Sequence, residues 1–365
     1  MILHFYFARR FATNFLVLTV VLFSLVALVD LVDQTRVFGD LGVSFGRIIG
    51  LTFLNVPHTV NEILPLIMIL STIAMFIGLA RSSELVATRA AGRSGLRALH
   101  APVIVALIIG ALAVTMLNPI VAGTSKRYSE LAESYRTGGA STLSISGQGL
   151  WLRQGDAEGQ SVIRAWRSNA NASILYDVTI ITYAPGQGPV RRIVSRSAAL
   201  QEGGWVLRDV KLWRLEEGWN SEANAEIHEE LFIPSSLTLD RIRESFARPS
   251  AISIWKLPEF IAQLDRAGFS SRKHRVWFQS ELARPLFLMA MVLIASAFTM
   301  RHTRLGGTGI AVLSAVLLGF SLYFIRSFAQ ILGENGQIPI YLAAWAPPIA
   351  AVLLALGLLL HAEDG

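Results

Sequence analysis

Apolar residues run along this chain in long blocks broken by short charged ones. A helix needs roughly 18 to 20 consecutive apolar residues to cross a bilayer, and the blocks meet that length. Residues 11–29 form the first, and 63–80 the second, with an apolar lead-in from Ile48. Residues 98–125 hold the third. From 126 to 275 no window is long enough. The pattern resumes at 285–300, which is short alone but extends back past Arg284 and Glu281, and continues at 305–325 and 335–360. The pattern predicts three spans, a soluble block of about 150 residues, and three more spans. The first block exceeds the length of a secretory h-region, and no small-x-small site follows Asp30, so it reads as a retained span.

The central block has the two-residue period of strands. Ile174, Tyr176, Val178 and Ile180 alternate with Leu175, Asp177, Thr179 and Ile181, and Leu150 and Leu152 with Trp151 and Arg153. Residues 205–214 form a further run. Turn signals at 154–156, 185–189 and 203–204 separate the runs. Short strands at this spacing predict a sandwich or jelly roll, with Trp151, Trp205 and Trp213 in its core. After Pro249 the period becomes helical. Pro258 at a first turn, then Phe260, Ile261 and Leu264, predict an amphipathic helix over 251–275 that leads into the fourth span.

Composition agrees: 53% of residues are hydrophobic and 16% charged, against about 25% charged in a soluble domain. The mean hydropathy is +0.49. There is no cysteine, which excludes disulfides, thiolate zinc sites and thiol nucleophiles. The net charge is +6, and only four of the 32 basic residues are Lys. With this hydropathy, a basic excess points to anionic lipid rather than nucleic acid. Arg9 and Arg10, then Arg81, Arg89, Arg93 and Arg97, then Arg301 and Arg304 occupy loops on one side. The opposite loops hold Asp30, Asp33, Asp40, Glu62 and Glu334 with Arg36 and Arg47. By the positive-inside rule both termini lie inside and the strand-rich block outside. None of the four lysines lies in a P-loop frame, and neither H-E-x-x-H nor G-x-S-x-G occurs. No cofactor site is readable. Acidic residues are nearly absent from the apolar cores, so a self-powered ion-coupled carrier is disfavoured and the energy for any movement is expected from a partner.

Three segments carry a resemblance. Residues 81–92, Arg-Ser-Ser-Glu-Leu-Val-Ala-Thr-Arg-Ala-Ala-Gly, resemble the cytoplasmic loop after span two in the LptF/LptG permeases of the lipopolysaccharide exporter. Gly149-Leu150-Trp151-Leu152-Arg153 is similar to the strand that opens that family's β block. Gly336-Gln337-Ile338-Pro339 with Ala343-Ala344-Trp345-Ala346-Pro347 resembles the LptG version of the last span. The resemblance covers the whole chain. It implies a Gram-negative inner-membrane protein with six transmembrane helices (3+3) and an inserted periplasmic β-jellyroll. It also implies the partners: a cytoplasmic ATPase homodimer like LptB, a second permease like LptF, a periplasmic bridge like LptC and LptA, and lipopolysaccharide as cargo. The domains expected are 1–125, with a coupling helix near 82–92, then 126–250, 251–275 and 276–365.

The candidate residues have a physical logic beside the resemblance. Ser82 or Ser83 caps a short helix, Glu84 suits its first turn, and Gly92 ends it. Such a helix, with Leu85 and Arg89, docks an ATPase or lies on anionic lipid; the resemblance favours docking. Arg36 and Arg47 lie near the outer end of span one, where guanidinium groups suit lipid phosphates. The family's residues there are largely lysines, and Asp33 and Asp40 offer Arg36 an alternative ion pair. Arg326 ends the fifth span, where it snorkels, pairs with Glu334 or meets substrate. Two other classes compete: a membrane-anchored envelope enzyme, which needs an acid/base pair that is not readable, and a non-transporting envelope scaffold.

Overall fold

The computed structural model describes residues 2–84, 95–137, 141–146, 149–156, 159–169, 173–184, 188–201, 203–215, 222–235, 248–266, 270–300 and 308–364. The chain divides into two compact units. One comprises Met1–Ser129, Ser250–Trp255 and Arg272–Gly365; the other comprises Glu130–Pro249 and Lys256–Ser271.

The first unit is helical. Its helices are α1 (Ile2–Phe38), α2 (Phe45–Glu62), α3 (Leu64–Arg81), α4 (Gly95–Leu112), α5 (Asn118–Thr137, whose residues from Glu130 on belong to the second unit), α7 (Arg272–Leu282), α8 (Arg284–Thr299), α9 (Thr308–Glu334) and α10 (Ile340–Asp364); α6 (Leu257–Arg266) belongs to the second unit. A π-helical turn, Ala113–Leu117, joins α4 to α5. Among the described residues, five helical stretches are long and apolar enough to cross a membrane: Leu3–Phe38, Leu64–Arg81, Arg97–Ala132, Gly309–Glu334 and Ile340–His361. The pair α7 and α8, bent by 48°, makes a sixth if it counts as one span. Each stretch sits on a block that hydropathy marks, because a helix satisfies its own backbone and needs only apolar side chains to enter lipid.

The apolar lead-in from Ile48 is a helix of its own, α2, separated from α3 at Ile63. The break has a local cause: Pro65 lacks an N–H and suits the first turn of a new helix. Pro285 does the same after Ala283, between α7 and α8. Helix α8 is buried on nearly every side and is packed by α3, α4, α9 and α10. That explains its uniformly apolar sequence, since a helix without a polar stripe needs an apolar neighbour on each face. Gly110 lets α4 approach it closely, because a Cβ there would lie 2.6 Å from the Cα of Pro285.

The second unit is one antiparallel sheet of seven strands in sequential order: β1 (Ser141–Ser146), β2 (Gly149–Asp156), β3 (Gly159–Ser168), β4 (Ile174–Tyr183), β5 (Pro189–Gln201), β6 (Gly204–Arg214) and β7 (Glu226–Pro234). The order is a meander. The crossed connections of a two-sheet jelly roll are not seen among the described strands.

A crease runs across five of these strands. In β4, Leu175 and Val178 are both buried while Tyr176 and Asp177 between them are exposed. The same double outward step occurs at Trp166–Arg167 and Arg208–Asp209, and a weaker form of it at Arg196–Ser197 and Glu229–Glu230. Register is identical on either side: Ala165 faces Val178 and Arg167 faces Tyr176, while Trp166 and Asp177 do not pair as ladder partners. Asp177 and Asp209 take φ of 52° and 56°, the left-handed region that Asp tolerates better than most residues. Two successive outward residues bend each strand toward the inner face. Strand residues from both sides of the crease share one core with Leu264, and Phe260 packs against it. Both lie on α6 (Leu257–Arg266), an amphipathic helix of ten residues that is shorter than the expected 251–275 stretch and separate from α7, which starts at Arg272. Of the three tryptophans assigned to the core, only Trp205 is there, fully buried. Trp151 and Trp213 point outward and carry cations: Arg164 lies 5.3 Å from the Trp151 ring, and Arg192 5.3 Å from the Trp213 ring.

Candidate functional site

Glu84 lies three residues past the end of α3, and its carboxylate has donors from two separate segments. Arg10 Nη1 donates to Oε1 at 2.8 Å and to Oε2 at 3.0 Å. The Tyr6 hydroxyl donates to Oε2 at 2.7 Å, and the Ser82 hydroxyl to Oε1 at 2.7 Å. Arg10 also donates to the Tyr6 oxygen at 2.5 Å, one helical turn away. Ser83, with φ 57°, turns the backbone so that Glu84 faces back to α1. Partial burial pushes the Glu84 carboxyl up, but the hydrogen bonds from Tyr6, Ser82 and Arg10 together outweigh it and hold the group below its ordinary value. The same hydroxyl lies 3.0 Å from the Gly78 carbonyl at the end of α3, so its one proton is shared between that carbonyl and the carboxylate. Leu85, Arg89 and Gly92 lie outside the described residues.

The other candidates fall elsewhere. Arg36 is exposed near the end of α1, and among the described residues no ion pair ties it to Asp33 or Asp40. Arg47 is exposed in the first turn of α2, where the helix dipole disfavours a cation. Of the alternatives for Arg326, pairing with Glu334 is not the one seen among the described contacts, where Glu334 accepts from Gln330 at 3.0 Å. Arg326 instead turns inward, its guanidinium 5.1 Å from the Phe287 ring and in weak contact with the Ser280 carbonyl at 3.5 Å. On that side the bend between α7 and α8 presents the Phe287 ring face and the Ser280 carbonyl to the guanidinium.

That bend also holds a polar layer that sequence reasoning did not find. Arg284 Nη2 lies 2.6 Å from Glu281 Oε1, an ion pair with almost no exposed surface. Arg284 donates to Asn61 on α2 at 2.6 Å, and Asn118 on α5 donates to Glu281 at 3.2 Å. The four side chains meet where α2 gives way to α3, α4 to α5, and α7 to α8. Beside this layer, α3 and α9 leave a mostly apolar cavity of about 170 Å³ lined by Glu62, Pro65, Ile69, Gly319, Phe320 and Tyr323. Among the described residues no cluster of His, Cys, Asp or Glu could hold a metal ion.

These features define a polytopic membrane protein that carries a folded β domain and has a charged contact point at the end of its second apolar span. The LptF/LptG model, described as lipopolysaccharide export system permease, matches residues 5–361. The chain therefore belongs to the LptF/LptG family of lipopolysaccharide export permeases. It is similar to the protein named lipopolysaccharide export system permease protein LptG of Haemophilus influenzae, 22% identical over 94% of each chain. It is likewise similar to the LptG protein of Escherichia coli K12, 25% identical over 96% of this chain and 93% of that one.

Proposed function

We propose that this chain is one of two permease subunits of an ABC exporter that extracts lipopolysaccharide from the inner membrane and passes it to a periplasmic bridge. The observation that carries the reading is the family match over nearly the whole chain, β block included. In this reading the bent pair α7 and α8 is the fourth of six spans, both termini are cytoplasmic, and the creased sheet is a periplasmic jelly-roll-like trough. A cytoplasmic ATPase homodimer like LptB docks on Glu84, Leu85, Arg89 and Gly92. A second permease like LptF completes the pair, and a bridge like LptC and LptA receives the cargo. Arg36 and Arg47, exposed near the outer end of α1, meet the substrate phosphates. Arg326 joins them when it leaves Phe287. The apolar cavity between α3 and α9 is of a size and lining that suit part of an acyl chain.

Mild solubilisation and affinity capture of the tagged chain test this directly. An ATPase and a second, similar permease are expected in stoichiometric amounts, with lipopolysaccharide bound. Capture of the chain without an ATPase would remove the exporter reading and leave a scaffold. A reporter inserted at 185–187 is expected to be active only as a periplasmic fusion; cytoplasmic activity there would overturn the orientation.

A further inference from the structure

The chain passes between its two units more than once. Glu130–Pro249 belongs to the second unit, Ser250–Trp255 to the helical one, and Lys256–Ser271 to the second again. Six residues just ahead of α6 therefore rest among the helices as a short strap. The strap reads Ser-Ala-Ile-Ser-Ile-Trp and carries no charge that could pair it in place. Two hydrogen bonds fix its end, and both run to the interruption between α4 and α5.

The interruption supplies the acceptors. In the π-helical turn the Asn118 N–H bonds the Ala113 carbonyl, five residues back, so the helical ladder slips by one residue there. The Thr115 carbonyl, within that turn, accepts from the Trp255 indole N–H at 3.2 Å. The Asn118 side chain is buried and uses both ends of its amide. Its Oδ1 accepts from the Ile254 backbone N–H at 2.9 Å, and its Nδ2 donates to Glu281 Oε2 at 3.2 Å. These contacts sit at opposite ends of one planar group, so a rotation that breaks one disturbs the other. Ile254 and Glu281 are buried as well, so neither bond is readily exchanged for one to water. Glu281 is also the carboxylate paired with Arg284 at the 48° bend between α7 and α8. Asn118 thus stands between that bend and the strap. A shift of Glu281 that opens its bond frees the amide to turn and loosens Ile254.

We propose that Asn118 is a positioning residue that couples the bend between α7 and α8 to the strap 250–255, with Trp255 as the second fastening. A change at the bend then reaches the segment from which the chain continues into α6 and the core of the sheet. The part of this played in export rests on the permease role proposed above. Asn118 acts through Glu281 and Ile254 and needs no contact with cargo.

Amide hydrogen exchange of the full chain in nanodiscs reads the joint directly. Asn118→Ala is expected to speed exchange of the Ile254 N–H roughly tenfold, the effect of losing one hydrogen bond. Glu281→Met combined with Arg284→Met is expected to do nearly the same, though neither residue hydrogen-bonds the strap among the described contacts. Exchange in α10 should stay unchanged in both. An Ile254 N–H that keeps its wild-type rate in either variant would overturn the coupling. So would a rise that extends to α10, because it would report a general loosening of the helices. The complete complex gives the functional readout, as ATPase retained and lipopolysaccharide released to a soluble acceptor. Trp255→Phe keeps an aromatic ring and removes the N–H bound to Thr115. It is expected to retain the ATPase while release falls measurably, and Asn118→Ala to lose more. Normal release from both would overturn the positioning role. Loss of the ATPase from Trp255→Phe would overturn it too, since the defect would then be one of assembly. If the unmodified complex retains no ATPase, the permease reading fails, and exchange of Ile254 alone decides the joint.

Discussion

Glu281 and Arg284 are side chains of opposite charge held almost entirely out of solvent, one turn apart across a helix break. Each makes the other tolerable, and Asn118 and Asn61 fill further hydrogen-bonding positions. Removing one partner leaves a buried charge alone, which typically costs about 3–5 kcal/mol. Arg284→Ala is therefore expected to lower the thermal unfolding midpoint of the detergent-solubilised protein sharply. Glu281→Met with Arg284→Met should lose much less, which a double-mutant cycle in the same assay checks. Glu84 gives a pH prediction of known sign. Its carboxyl is held below its ordinary value, so the contact is fully present above pH 4.5 and lost as pH falls through the lower folded-state value. The distance between spin labels placed by Arg9→Cys and Arg81→Cys should stay constant from neutral pH down to 4.5 and widen only below it. Arg10 was legible in the sequence only as a charge that orients the first span. Nothing in local spacing connects it to Glu84, because the contact depends on how α1 lies against α3.

In the sheet, alternation is readable up to Leu175 and again from Val178. The change of face between them is not, since Tyr176 and Asp177 continue an ordinary strand composition. The crease is a property of neighbouring strands bending together, and it becomes visible only once register is known. It also explains how a meander acquires a core without a second sheet. Placing a β-branched residue in a left-handed position costs about 1–2 kcal/mol. Asp209→Val is expected to lower stability to urea by about that much, while Asp209→Gly should remain within a few tenths of wild type. Equal effects of Val and Gly would show that the backbone at Asp209 is not what shapes the bend. Ion pairs along the crease, Arg167 with Asp177 at 3.6 Å and Arg196 with Asp209 at 3.7 Å, are exposed and contribute little by themselves.

Across the helical unit, hydropathy located the spans because lipid demands apolar length, and it says nothing about hydrogen-bond register inside that length. The breaks at Ile63 and Ala283 and the π-helical turn at Ala113–Leu117 are therefore not legible in it, nor is the polar layer they accommodate. The packing around α8 depends on small residues at fixed points. Gly110→Leu is expected to force α4 away from Pro285 and reduce folded protein after solubilisation, as read by size-exclusion recovery, whereas Gly123→Ala, with open space around it, should be silent. Equal recovery of both would mean that α4 and α8 do not meet as closely as described.

The creased sheet has a consequence for traffic through it. Its interior is already filled with hydrocarbon from Leu150, Ile163, Val178, Ile193, Trp205 and Leu207. A fatty chain sliding between the two flaps would exchange one dry neighbour for another, with little water displaced and little net gain. In the proposed role, such an interior works as a lubricated slot rather than a store. The guest leaves about as easily as it enters, so the direction of travel must be imposed from outside the sheet.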